Sequence, residues 1–169
     1  MSKLTDFRST KDHFVQHDPQ SPLTSAQKAT FGGLSYFDEE PSLRLTLQVQ
    51  PYPEQEIIEM QTTTGGVASF VRWAKIAFSV DGAPAELTVY KDASDGSFFL
   101  PFADSTSGDE TYGAGRYVEL EAQPDGSLLV DFNYAYSPYC AYNEAWACPI
   151  TPAENRLPVP IRAGEKNFE

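Results

Sequence analysis

The sequence predicts an all-β fold, mainly antiparallel, built as a barrel or β-sandwich with short N-terminal helices and a long irregular C-terminal segment. Three observations carry this. Apolar and polar residues alternate without a fault over Leu43-Arg44-Leu45-Thr46-Leu47-Gln48-Val49-Gln50, the period-two pattern of a strand with one apolar face. Strand-like runs then follow at residues 57–63, 69–80, 85–90, 98–102, 115–122 and 128–136. Between them stand Asp81-Gly82, Asp95-Gly96 and Pro124-Asp125-Gly126, turn formers in which glycine takes positive φ and proline presets the bend, so neighbours join as hairpins. No helical interval of the kind a parallel crossover needs separates these runs.

Before the strands, Leu4, Phe7, Phe14 and Val15 make an approximate helical stripe that ends ahead of Asp18-Pro19. Thr24 followed by Gln27 reads as a capping box, in which each side chain accepts from the other's backbone N–H, opening a second short helix that closes at Gly32-Gly33. Residues 133–160 are rich in Tyr, Pro and Asn, a composition suited to an irregular cover over the sheet. The expected organisation is one domain over residues 1–169: a helical segment at 1–33, an antiparallel core at 43–136, and a covering loop and tail at 137–169.

Hydrophobic residues make up 41% of the chain and charged residues 21%, ordinary globular usage. Twelve Lys and Arg against twenty-four Asp and Glu give a net charge of −12, which repels phosphate backbones and anionic lipid surfaces. Neither nucleic acid nor membrane is therefore an expected partner, and no run approaches the roughly 18–20 apolar residues of a membrane helix. The amino terminus lacks the apolar run of a secretory signal, so a cytoplasmic location is expected. Cys140 and Cys148 then read as two thiols rather than a staple. Their spacing does not fit a zinc knuckle, and His13 and His17 read as surface residues; no metal is expected. Nor is a cofactor: the chain has no phosphate-cradling P-loop, dinucleotide fingerprint or nucleophile elbow.

The polar loop from Asp104 to Arg116 is the best candidate for a pocket rim. Its glycines let the backbone approach closely, while Asp104, Thr106, Glu110 and Tyr112 offer carboxylates and hydroxyls. The same residues also suit a long hairpin loop in which Asp104 and Thr106 bond their own backbone. Arg116 can present a guanidinium fork to an anion, and Asp131 and Asn133 alternate with apolar residues on the next strand. An Arg116–Asp131 pair would be either half of a binding site or a structural lock. Tyr134, Tyr136, Tyr139, Tyr142 and Trp146 can cover a ligand or glue the loop to the core.

In order along the chain, Phe99-Leu100-Pro101-Phe102, Asp104, Thr106-Ser107-Gly108, Glu110-Thr111-Tyr112 and Gly115-Arg116-Tyr117 resemble the family called domain of unknown function 1684. So do Asp131-Phe132-Asn133-Tyr134-Ala135-Tyr136, Pro138-Tyr139-Cys140-Ala141-Tyr142, Cys148-Pro149, Glu154-Asn155 and Ala163-Gly164-Glu165-Lys166, and the likeness spans almost the whole chain. Ser137 stands where the family pattern usually has Asn. The resemblance implies no activity; it implies that these residues share one site or scaffold.

The expected function is binding of a polar or anionic small molecule, with Thr106, Tyr112, Arg116, Asn133, Tyr136, Tyr139 and Asn155 around it. One alternative is a hydrolase or isomerase using Asp104, Glu110 and Asp131 as acid and base, if burial raises one pKa. The other is a structural or protein-interaction domain.

Overall fold

The computed structural model describes residues 3–143 and 146–168. Helix α1 (Lys3–His17) buries Leu4 and Val15, and α2 (Ser25–Ala29) opens on Thr24 with both reciprocal bonds of the capping box in place. The strands are β1 (Arg44–Leu47), β2 (Gln50–Pro51), β3 (Ile57–Gln61), β4 (Val67–Val80), β5 (Ala83–Asp92), β6 (Phe98–Phe102), β7 (Arg116–Val118), β8 (Leu120–Ala122) and β9 (Leu128–Asp131). They form two antiparallel sheets. One has the order β1-β9-β8; the other runs β2-β4-β5-β6-β7, with β3 also on β4.

Between the sheets lies one apolar core. It takes Leu43 and Leu47 from the β1 region, Ile76 and Phe78 from β4, Leu87 and Val89 from β5, Phe102 from β6 and Val130 from β9. The arrangement is sandwich-like, the second of the two expected architectures. The C-terminal stretch enters the same core through Leu157, Ile161 and Ala163, so it is a strap rather than a loose cover. A smaller cluster of Val15, Leu23 and Tyr142 packs α1 against the tyrosine-rich segment.

Four departures from the sequence reading have local causes. The run 43–50 is a strand only over Arg44–Leu47, because Leu43 belongs to the 3₁₀ turn Pro41–Leu43 and Gln50 pairs with Lys75 in the other sheet. The run 115–122 is broken between β7 and β8, because Val118 pairs with Leu100 in one sheet while Leu120 pairs with Val130 in the other. The run 128–136 ends at Asp131, whose carboxylate accepts from Asn133 N and caps a 3₁₀ turn over Phe132–Tyr134. Within β4, the register against β5 shifts between Arg72 and Ala74. That bulge inserts Trp73 and reverses the side-chain alternation, so Arg72 and Lys75, three apart, stand opposite Tyr90 and Thr88 on one face. The β4–β5 hairpin closes on Asp81 and Gly82, both with positive φ, as a two-residue Asp-Gly turn requires.

Candidate functional site

Arg116 opens β7 at 1% exposure, and its partner is Asp104, not Asp131. Nη1 donates to Ala163 O at 2.6 Å and to Glu165 O at 3.0 Å; Nη2 donates to Ile161 O at 2.8 Å and reaches Asp104 Oδ2 at 3.5 Å. The short bonds go to strap carbonyls, so they hold the guanidinium more firmly than the longer carboxylate contact does. Burial depresses the Arg116 pKa to about 10, against the opposing pull of Asp104 and Glu165, and the group is still a cation at neutral pH. Asp104 also accepts from Thr106 Oγ1 at 2.8 Å and from Ile161 N, and Thr106 bonds Thr111 at 3.0 Å. Gly115 is required here: a Cβ on it would lie 2.7 Å from Phe102 O and 2.5 Å from Thr151 Oγ1. The polar loop, β7 and the strap are thereby tied into one buried unit.

The other expected site residues are spread over several places. Asp131 lies 3.8 Å from Arg44 and accepts from Asn133, because the 3₁₀ turn directs it to its own loop and away from Arg116. Asn133 uses its amide on both backbone groups of Glu40, at 2.7 and 3.0 Å. Glu110 pairs at the surface with Arg162. Asp104, Glu110 and Asp131 thus each answer to a different cation. Tyr136 donates to Glu119, Tyr139 sits edge-on to Trp146, and the Tyr112 hydroxyl is 3.6 Å from Cys140 Sγ. Beside them, buried Glu165 bonds Lys11 of α1 and the Tyr142 hydroxyl, which anchors α1 to the strap.

Asn155 leads to a place the sequence reading did not identify. Fully buried, it accepts from Thr88 N at 2.8 Å and donates to Thr88 O at 2.9 Å and Pro101 O at 2.8 Å, which pins the turn Ala153–Asn155 onto β5. Its neighbour Glu154 consequently faces the bulged region of β4. Arg72 donates to both Glu154 oxygens from Nε and to Oε1 from Nη2 at 2.7 Å, while the Tyr90 and Thr88 hydroxyls complete the set. The Arg72 guanidinium lies 3.9 Å over the Tyr52 ring, and the Tyr52 hydroxyl bonds Thr88 at 2.8 Å. Burial pushes the Glu154 pKa up, but the bonds from Arg72, Tyr90 and Thr88 outweigh it and hold the carboxyl below its ordinary range. Burial, with the bond to Glu154, raises Tyr90 far above the usual phenol.

Tyr52, Arg72, Thr88 and Glu154 line a cleft of about 290 Å³, completed by Lys75, Glu86 and Leu87. The two arginine–carboxylate pairs of the protein's interior and cleft contrast sharply in access. Arg116 and Asp104 are 1% and 0% exposed, whereas Arg72 and Glu154 are 31% and 32% exposed. Only the second pair meets solvent. The sequence did carry Glu154-Asn155 as a motif, but nothing local connects it to Arg72, 82 positions earlier. Among the described residues, no group of three or more His, Cys, Asp or Glu is placed to hold a metal ion, and no helix is long and apolar enough to cross a membrane.

Comparison with curated proteins finds no match. Among solved structures, the chain is similar to an uncharacterized protein of Haloarcula marismortui determined by solution NMR. The two are 36% identical, the likeness covers 97% of this chain and 92% of the other, and the TM-score is 0.74. Residues 29–166 match the profile of the proteins of unknown function termed DUF1684. With the polar loop, the strap and the Glu154-Asn155 turn all inside that matched span, the chain belongs to the DUF1684 family.

Proposed function

We propose that the protein is a small-molecule-binding domain, and that its ligand is a small zwitterion held in the cleft over β4 and β5. The observation that carries this reading is the solvent-accessible Arg72–Glu154 pair lining a cavity of about 290 Å³. That volume lies at the small end of ligand pockets, which run from roughly 300 to 1,000 Å³, and suits a metabolite of amino-acid size. Arg72 and Lys75 supply two cations, Glu86 and Glu154 two carboxylates, and Tyr52 an aromatic wall. A ligand bearing both charges can exchange partners with Arg72 and Glu154 without leaving either charge uncompensated, whereas a simple anion would leave Glu154 facing it. The β-bulge that brings Arg72 and Lys75 to one face supports the reading, since bulges re-aim side chains beside functional sites.

Calorimetric titration of the full chain with free amino acids, acetate and methylamine tests this. Amino acids should bind, the single-charge probes at least tenfold more weakly, and Arg72→Gln or Glu154→Gln should each lose at least tenfold in affinity while the fold persists. Absence of binding at millimolar amino acid, or affinities unchanged in both variants, would refute the proposal.

A further inference from the structure

We propose that Cys140 and Cys148 are a reversible thiol–disulfide pair that clamps the tyrosine-rich segment onto the β3–β4 hairpin. The two sequence positions are brought together: Cys140 N donates to Cys148 Sγ at 3.4 Å, and both thiols are free. Each belongs to a different anchored stretch. Cys140 lies in the 3₁₀ turn Tyr139–Ala141, whereas Cys148 is strung along the hairpin by Thr63 N to Cys148 O at 3.1 Å and Ile150 N to Gln61 O at 2.8 Å. The Tyr139 and Trp146 rings, beside the two cysteines in sequence, meet with centroids 5.0 Å apart and hold the ends of the loop together. The entropy of closing the loop is thus already spent in the reduced protein, which raises the effective concentration of one thiol at the other.

A small-molecule disulfide such as oxidised glutathione is the co-reactant. The thiolate of one cysteine attacks a glutathione sulfur, forming a mixed disulfide and releasing one glutathione thiolate, which takes up the proton. The second cysteine, deprotonated in turn, attacks its neighbour's sulfur, forms the Cys140–Cys148 bond and releases the second glutathione as a thiol. Two thiols are oxidised and one disulfide is reduced. Both cysteines are buried, at 4% and 8% exposure, and burial first, with the neighbouring Cys140 thiol, pushes Cys148 up to about 11. The Cys148 thiolate is therefore scarce at neutral pH, so attack from Cys148 is slow and accelerates as pH rises.

The test is incubation of the folded full chain with oxidised glutathione, followed by alkylation, mass spectrometry and thermal melting. The expected product has lost only the two thiol hydrogens, resists alkylation, regains both thiols with dithiothreitol, and melts roughly 5–10 °C higher. Cys140→Ser and Cys148→Ser should stop at a single glutathione adduct, and Tyr139→Ala should slow closure of the pair. Independent glutathione adducts on both cysteines, or no reaction in the folded protein under conditions that oxidise the urea-unfolded chain, would overturn the proposal.

Discussion

Replacing Arg116 with Met removes the four polar contacts that join β7, the polar loop and the strap while keeping most of the buried bulk. Three strap carbonyls, those of Ile161, Ala163 and Glu165, lose a charged donor, and the Asp104 carboxylate, 0% exposed, loses its cation. An unpaired buried charge costs far more than the intact pair contributes. Breaking such a pair from one side destabilises by about 3–5 kcal/mol, and burial this deep calls for no discount for solvent screening. Urea denaturation of the full chain, followed by circular dichroism at neutral pH, should show the midpoint falling by that amount at an unchanged slope. Hydrogen exchange should quicken first at residues 161–166, whose backbone the guanidinium holds. A loss below about 1 kcal/mol would refute the view of Arg116 as a structural lock, because that is the scale of a solvent-screened surface pair.

Three further predictions follow from the same packing. Gly164→Ala should destabilise by roughly 3 kcal/mol or more, since φ is +79° and a Cβ would sit 2.6 Å from Ala135 O and 2.8 Å from Phe132 O, backbone atoms that cannot swing aside; a melting temperature within a degree of wild type would contradict it. Asn155→Ala should cost about 3 kcal/mol by orphaning Thr88 N, Thr88 O and Pro101 O, and should weaken amino-acid binding by releasing the turn that carries Glu154; unchanged unfolding and binding would count against it. At high pH, burial raises Tyr36, Tyr90, Tyr117, Tyr136 and Tyr142, so the folded chain keeps phenolic protons that the unfolded chain releases near pH ~10. Stability should therefore fall as pH rises past that point. Arg116, depressed to about 10, acts in the opposite sense, but as one group against five. Tyrosinate absorbance should then appear largely in one cooperative step with unfolding; independent titration of these five near pH 10 would contradict their burial.

What the sequence disclosed was mostly what short-range chemistry decides. The Thr24–Gln27 capping box and the Asp81-Gly82 turn each depend on residues within a few positions, and each is found in place, whereas the alternation at Leu43–Gln50 yields a strand only over Arg44–Leu47. Arg116 was legible as a special residue, but its partner was not. Asp131 shares a nearby strand run, yet Asp104 reaches Arg116 across the polar loop and the strap supplies carbonyls 45 to 49 positions away. The cleft was harder still. Its composition depends on a bulge at Trp73 that reverses which β4 side chains face outward, and on Asn155 fixing a distant turn to β5. A period-two reading of β4 separates Arg72 from Lys75 by face; only the pairing with β5 shows them together.

Amide-resolved NMR titration of the full chain with a small free amino acid is the most direct measurement of the central claim, because it locates the binding face without disturbing the fold. Chemical-shift changes should gather at Arg72, Lys75, Glu86, Thr88 and Glu154, saturate with a single affinity, and vanish in Glu154→Gln. Shifts centred instead on the polar loop and tyrosine-rich segment, around Thr106, Tyr112 and Tyr139, or no saturable shifts anywhere, would contradict the account.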